Sequence, residues 1–129
     1  MAIVDRIANK PLAIIKPPLD TPAEQRMVDV MTTLKNLLGE QRESLFVLID
    51  MRGIPVNFDA MIQNLNMVRQ ENHLLAHPML RELIVISAQQ LITRGVKGLD
   101  SAVYGNLRLK VFPELEDAVK YVDTQGAST

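Results

Sequence analysis

Short apolar runs predict the β-strands of this chain, and amphipathic segments between them predict its α-helices. The densest run, Leu45–Asp50, has five consecutive apolar residues before its final carboxylate. An uninterrupted run of this kind is typical of a strand buried on both faces, as in a parallel sheet covered by helices. A second buried strand is predicted over 83–86. Residues 107–112 alternate between apolar and polar types, which predicts a strand at the edge of the sheet.

The first helix has a well-marked predicted beginning and end. Thr21 is the expected N-cap, Pro22 fits the first turn, where its missing N–H costs nothing, and Glu24 would close a capping box. Gly39 is expected to end the helix in the manner of a C-terminal glycine. The predicted core-facing positions recur at helical spacing and are Met27, Val30, Met31, Leu34, Leu37 and Leu38.

The second helix carries more apolar residues than one core-facing side needs. It is expected to begin after Asn57, whose side chain can cap it, and to end near Ala76, because Pro78 restricts the residue before it. Its predicted apolar face, with Ile62 beside it, consists of Phe58, Met61, Leu65, Val68 and Leu75. A second apolar row, with a spacing of seven residues, consists of Ala60, Met67 and Leu74.

Two further helices are predicted towards the C-terminus. Ser87 and Gln90 have the spacing of an N-cap and its capping-box partner, and Gly95 or Gly98 would end this third helix. Pro113 is expected to begin the last helix, because the acidic residues that follow it are favourable to the helix dipole.

The remaining segments complete an alternating order of strands and helices. Residues 3–7 and 12–15 predict a hairpin, a short helical turn is expected over 99–104, and residues 124–129 predict a frayed polar tail. The resulting order, β(β)αβαβαβα, implies right-handed crossovers and a mainly parallel sheet, so the predicted fold class is α/β. At 129 residues we expect one domain with an ordered core over about 3–123.

Composition narrows the classes of function. Lysine and arginine total 14 against 15 acidic residues, whereas nucleic-acid binding depends on clustered basic side chains, so we expect no nucleic-acid partner. Cysteine is absent, which excludes disulfides and thiol catalysis. No apolar run approaches the roughly 20 residues that span a bilayer, and the N-terminus lacks a signal-peptide pattern. A cytoplasmic protein is therefore the expectation.

Two strand-to-helix junctions, 50–58 and 87–89, are expected at the same edge of the sheet, where open α/β sheets bind ligands. Asp50 and Arg52 lie in the first junction and Ser87 opens the second, so an enzyme or an anion-binding protein would use these residues. The structural alternative is that Asp50 accepts hydrogen bonds from its own turn or pairs with Arg52. We expect that alternative rather than catalysis.

The sequence provides no strong motif for catalysis, a cofactor or a metal. His73 and His77 have the spacing of two ligands on one helical turn, but no glutamate lies between them and no third ligand is indicated. Surface histidines and no metal site are therefore expected. Neither a G-x-S-x-G nor a G-x-x-x-x-G-K motif occurs, and the glycines are too scattered for a dinucleotide fingerprint, so no catalytic residue and no cofactor is predicted.

Two stretches resemble a known family. Leu48–Gly53, Leu-Ile-Asp-Met-Arg-Gly, resembles the strand and Asp-x-x-Gly segment of STAS domains, the fold of anti-sigma-factor antagonists. Residues 108–112 and 113–119 are similar to the strand, acidic residues and alanine that end the SpoIIAA-like, or STAS-like, bacterial proteins, which are related to CRAL-TRIO folds. The resemblance implies a mainly parallel four- or five-stranded sheet with about four helices, largely on one face.

The resemblance also implies protein interaction or the binding of an apolar ligand rather than catalysis. Antagonist-type members carry a phosphorylatable serine at the start of the helix after the Asp-x-x-Gly segment. This chain has no serine or threonine between Leu45 and Ile86, so phosphorylation there is excluded, although Asp59 places a permanent negative charge in that region. The SpoIIAA-like branch is therefore the better match.

These observations lead to the hypothesis of a non-enzymatic STAS-like regulatory or ligand-binding module. A protein partner or an apolar small molecule such as a lipid would bind the second helix and the 52–60 loop. The predicted binding surface consists of Asp50, Arg52, Phe58, Asp59, Met61, Ile62, Leu65, Met67 and Ser87. The alternatives are a small α/β enzyme that uses Asp50 and Arg52, and a structural homodimer in which the surplus apolar row of the second helix packs against a second subunit.

Overall fold

A mainly parallel five-stranded sheet organises residues 2–99 and 109–127, which the computed structural model describes. The strands lie in sequence order and are β1 (Ile3–Arg6), β2 (Leu12–Lys16), β3 (Leu45–Asp50), β4 (Leu80–Ile86) and β5 (Leu109–Phe112). β1 is antiparallel to β2, and the other neighbouring strands are parallel. The helices are α1 (Ala23–Gly39), α2 (Phe58–Gln70), α3 (Asn72–Leu75), α4 (Gln90–Leu99) and α5 (Leu115–Ala127). The predicted α/β class is confirmed.

The two faces of the sheet are covered unequally. Because the parallel strands follow one another in sequence order, right-handed crossovers place α1, α2 and α4 on the same face. Apolar residues of these helices pack there against alternate strand residues that include Ala13, Ile15, Val47, Ile49 and Leu83. On the opposite face, α5 packs against Leu12, Ile14, Phe46, Leu48, Ile84 and Ile86. The central strand β3 is therefore buried on both sides, as its apolar run predicts.

The predicted beginning of α1 is wrong. The N-cap is Pro22, with φ −54° and ψ 148°, and no side chain caps the helix. Helical conformation starts at Ala23, one residue later than predicted, so Thr21 lies one position before the N-cap. Its backbone carbonyl instead accepts a hydrogen bond from Arg26 Nη2 at 2.9 Å. The expected capping box cannot form, because its threonine lies one residue too early.

The predicted beginnings of the two C-terminal helices are also too early. The Ser87 backbone N–H donates to the carbonyl of Phe112 at 2.9 Å, so Ser87 still belongs to the pairing between β4 and β5. As a result α4 starts at Gln90. The last helix starts at Leu115 rather than at Pro113, and it continues through residues 124–127, where a frayed tail is predicted.

Neither predicted glycine stop has the expected geometry. Gly39 is the last residue of α1, but Glu40 is the C-cap at φ −98°, and the left-handed conformation of a C-terminal glycine is not used. Gly95 lies inside α4, and α4 includes Gly98 as well. A Cβ atom at Gly95 would lie 2.8 Å from Met61 Sδ, so this glycine permits the close approach of α4 to α2.

The second predicted helix is divided into α2 and α3. The Asn57 cap is confirmed, since its Oδ1 accepts a hydrogen bond from the Ala60 N–H at 2.8 Å. Phe58 was predicted to face the core, but it is 64% exposed. Helical side chains point towards the N-terminus, so the first residue of a helix projects past its end. The predicted turn over 99–104 lies outside the described residues apart from Leu99, and so do residues 107 and 108 of the predicted last strand. The described part of that strand, β5, lies at the edge of the sheet as predicted.

Candidate functional site

The carboxylate at the end of β3 is fully engaged by a neighbouring arginine. Asp50 Oδ1 accepts hydrogen bonds from the Arg52 backbone N–H at 3.1 Å and from Arg52 Nε at 2.9 Å, and Oδ2 accepts one from Nη2 at 2.8 Å. Both structural alternatives considered from sequence, a turn hydrogen bond and an ion pair, are therefore present. The hydrogen bond from the Arg52 side chain lowers the pKa of Asp50, and burial opposes that change. A general base works best with a pKa near the operating pH, so this carboxylate is poorly suited to that role.

Replacement of Asp50 by asparagine is expected to lower the free energy of unfolding by about 1 kcal/mol at pH 7, because Arg52 is partly exposed and the pair is partly screened. Since folding lowers the pKa of Asp50, its contribution is present above the ordinary value of 3.8 and is lost as the pH falls through the folded value. Urea unfolding at pH 7 and near pH 2 tests this expectation. The difference between the two proteins should shrink in acid, whereas Glu43→Gln, at an exposed carboxylate, should have little effect at either pH. An equal loss at both pH values would contradict it.

The two predicted strand-end junctions are joined by Gln89, a residue that the sequence did not single out. Its Nε2 donates to the carbonyl of Ile54 at 2.6 Å, and its Oε1 accepts a hydrogen bond from the Val56 N–H at 2.9 Å. Ser87 is only 2% exposed, and its Oγ accepts a hydrogen bond from the Gln89 N–H at 3.1 Å. The junctions do converge at one edge of the sheet, but these polar groups connect the loops to each other.

An apolar cavity of about 70 Å³ lies between the sheet and the three helices on its more covered face. We call it the inner cavity. Four methionines contribute to its wall, and Asn64 is its polar lining side chain among the described residues. The lining residues are Met27, Met31, Ile49, Met51, Met61, Asn64, Leu65, Val68, Leu83, Val85, Ile92, Val96 and Leu109. A water molecule needs only about 10–15 Å³, and apolar cavities tend to stay dry, so this space suits an apolar group.

A smaller outer cavity of about 10 Å³ adjoins the inner one. Both cavities are lined by Met27, Met51 and Asn64, so these side chains separate the two spaces. The outer cavity is also bordered by Arg26 and by the 54–56 loop that Gln89 holds. An apolar space therefore adjoins a smaller space that has a cationic side chain in its wall.

The residues of the predicted binding surface are distributed over several environments. Met61 and Leu65 line the inner cavity, whereas Met67 is half-buried and packs against the core beside it. Phe58 and Ile62 are exposed on α2, and Asp59 is exposed in its first turn. Asp50 and Arg52 pair at the strand end, and Ser87 is buried at the other junction. In the second apolar row of this segment, Leu74 is buried in α3.

The two histidines have separate surroundings. His73 Nε2 lies 3.4 Å from a carboxylate oxygen of Glu71, whereas His77 Nδ1 accepts a hydrogen bond from the Met79 N–H at 3.0 Å. Within 2–99 and 109–127, no group of three histidine, cysteine, aspartate or glutamate side chains is placed to hold a metal ion. No helix in these ranges is long and apolar enough to cross a membrane.

Comparison with known proteins identifies the fold. No protein-family model matches the sequence, and no curated protein matches it. Among solved structures, the chain is similar to the crystal structure of an uncharacterised DUF3478-family protein with a SpoIIAA-like fold from Shewanella loihica PV-4. The two share 12% sequence identity with a TM-score of 0.56, over 95% of this chain and 92% of the other. A likeness at this identity concerns the fold rather than the activity, and from it we conclude that the protein has a SpoIIAA-like α/β fold.

Proposed function

We propose that this protein is a non-enzymatic module that holds an apolar small molecule in the inner cavity between the sheet and helices α1, α2 and α4. The observation that carries the proposal is the cavity itself, which has an almost entirely apolar wall and occupies the best-covered layer of the fold. Transfer of an apolar group from water into such a space is favourable by about 0.8 kcal/mol for each buried CH₂.

The composition of the wall supports binding of ligands that differ in shape. Met27, Met31, Met51 and Met61 line the inner cavity, and methionine side chains are flexible enough to adapt to an irregular surface. Several lining side chains, including Leu65 and Val68, are half-buried rather than buried, so the cavity borders the protein surface. A ligand can therefore reach it through side-chain movement without unfolding of the sheet. The volume of about 70 Å³ holds only a few CH₂ groups, so a longer chain also requires the flexible methionine side chains to move apart.

The chemistry of the inner cavity favours binding over turnover. Among the described residues, its polar lining side chain is the amide of Asn64, which is neither an acid nor a base near neutral pH. Asp50 is the carboxylate that the alternative enzyme hypothesis would use, and it already accepts three hydrogen bonds from Arg52. The non-enzymatic hypothesis is therefore preferred to the α/β enzyme.

Filling the inner cavity is expected to weaken binding of an apolar ligand. In Val68→Phe the larger ring would occupy space that the ligand needs, so the affinity for 1-octanol, measured by isothermal titration calorimetry, should fall at least about tenfold, which corresponds to 1.4 kcal/mol. The matched control is Val28→Phe, because Val28 is an exposed valine on α1 that does not line the inner cavity. Its affinity for 1-octanol should remain within about twofold of the original value.

Two results would overturn the proposal. Absence of 1-octanol binding by the original protein would show that the inner cavity does not accept an apolar chain. Equal affinities of the original protein and Val68→Phe, with both folded by circular dichroism, would show that binding occurs elsewhere. Native mass spectrometry of the purified protein provides a complementary measurement, since a retained lipid-like compound should be lost in Val68→Phe and kept in Val28→Phe.

A further inference from the structure

We infer that the molecule held here is a single-chain amphiphile with a carboxylate head, and that Arg26 binds this carboxylate at the outer cavity while the chain enters the inner cavity. The inference rests on the proposed function and specifies the ligand of the same site. It depends on three observations: the charge of Arg26, the free amide of Asn64 and the adjacency of the two cavities.

Arg26 has a positive charge that no acidic side chain balances in the described structure. Its Nε donates to the carbonyl of Pro18 at 2.9 Å and its Nη2 donates to the carbonyl of Thr21 at 2.9 Å. Both acceptors are neutral, and the side chain is half-buried, so the charge is partly removed from water without a counterion. A half-buried cation without a counterion binds an anion strongly, because the hydrogen bonds between them are charge-assisted.

Asn64 provides a second donor where the two cavities meet. Its side chain lines both cavities and makes no hydrogen bond to another residue within 2–99 and 109–127. An amide can donate two hydrogen bonds, so it is able to bind a carboxylate oxygen next to Arg26. Arg26 and Asn64 thus lie together at one end of the apolar space, which is the arrangement that an amphiphile requires.

The dimensions favour a carboxylate over a larger head group. The outer cavity has a volume of about 10 Å³, which is close to the space needed for one water molecule. Either head group therefore requires the neighbouring side chains to move, and the two oxygens of a carboxylate require less movement than the three terminal oxygens of a phosphate ester. Met27 and Met51 separate the outer cavity from the inner one, and their flexible side chains can move to let a chain pass.

Three probes with the same eight-carbon chain test the head group: octanoate, 1-octanol and octyl phosphate, titrated calorimetrically at pH 7.5. Octanoate is expected to bind the original protein at least about tenfold more tightly than 1-octanol does, and more tightly than octyl phosphate. In Arg26→Gln, which keeps an amide donor for the backbone carbonyls but removes the charge, the affinity for octanoate should fall to that for 1-octanol. The affinity for 1-octanol should fall by a smaller factor than the affinity for octanoate, because the alcohol has no charge for Arg26 to bind.

Arg26→Lys and added salt provide independent tests. The lysine variant restores the charge and should recover part of the preference for octanoate. With the original protein, added sodium chloride should weaken octanoate binding but leave 1-octanol binding unchanged, a result that does not depend on how well any variant folds.

The outcomes separate this inference from the proposed function. If neither octanoate nor 1-octanol binds, the proposed function fails and the inference fails with it. If 1-octanol binds as tightly as octanoate, or if Arg26→Gln weakens both equally while remaining folded, the cavity still holds an apolar chain but Arg26 does not bind its head group. Tighter binding of octyl phosphate than of octanoate would overturn the assignment of a carboxylate.

Discussion

Replacement of Leu48 by alanine is expected to lower the free energy of unfolding by about 3 kcal/mol. Leu48 lies in the middle of the central strand, is 0% exposed, and is paired in register with Ile14 on one side and Ile84 on the other. Removal of its side chain leaves a space that α5 and the neighbouring strands can fill only partly. The loss therefore includes both the transfer free energy of the deleted atoms and the cost of the remaining cavity.

The same substitution at Leu19 is the matched control. Leu19 is 73% exposed, so Leu19→Ala should change the free energy of unfolding by less than about 0.5 kcal/mol. Urea unfolding followed by circular dichroism measures both variants at the same pH and temperature. A loss below about 1 kcal/mol for Leu48→Ala would contradict the burial of β3 on the face that α5 covers.

Replacement of Ala118 by aspartate is expected to lower the free energy of unfolding by at least as much, roughly 3 kcal/mol or more. Ala118 is 0% exposed where α5 packs on the sheet, and it belongs to the same apolar cluster as Phe46 and Leu48. An ionised group buried there would be desolvated without compensation. Because α5 covers this face, its displacement would also expose the apolar strand residues beneath it.

Thr124→Asp provides the control for Ala118→Asp, since it introduces the same side chain at an exposed position of the same helix. That variant should keep the unfolding midpoint within a few degrees of the original protein. Thermal unfolding and sedimentation velocity measure the two variants, and Ala118→Asp should unfold earlier and self-associate. A stable, monomeric Ala118→Asp would mean that α5 does not pack closely on the sheet.

The strands were the part of the fold that the sequence predicted best. The apolar run of Leu45–Asp50 corresponds residue for residue to β3, and the alternation over 107–112 correctly placed β5 at an edge. A buried strand face needs apolar residues and an exposed face needs polar ones. The local pattern of apolar and polar residues therefore predicts where the strands lie. The helices were also predicted in the right order, with the Asn57 cap at the correct residue.

Helix boundaries were less predictable, because tertiary contacts override local capping preferences. Ser87 resembles an N-cap, but its pairing with Phe112 keeps it in the sheet until the chain turns into α4. Gly95 resembles a stop, but in the folded protein it provides space for the Met61 side chain from α2. In both cases the partner is distant in sequence, so no local pattern could have identified it.

In the candidate site, too, local contacts could be predicted from the sequence and long-range contacts could not. The pair between Asp50 and Arg52 was predictable, because the two residues lie two positions apart at a turn. The contacts of Gln89 with the 54–56 loop join residues more than thirty positions apart, as their separations of 33 and 35 show, and nothing in the sequence near Gln89 indicates them. The inner cavity is assembled from three strands and three helices, and the sequence predicted only that some of its lining residues, Met27, Met31, Met61, Leu65 and Val68 among them, face inwards.

The α/β class, the succession of strands and helices and the local ion pair could all be predicted from the sequence, because they depend on periodicity and on neighbouring residues. The tertiary structure decided which helix residues enclose a cavity, that Arg26 and Asn64 lie beside it, and that Phe58 is exposed. A cavity is the space left between elements after they pack, so its position depends on the relative placement of the helices and the sheet. That placement is a property of the whole fold rather than of any single segment.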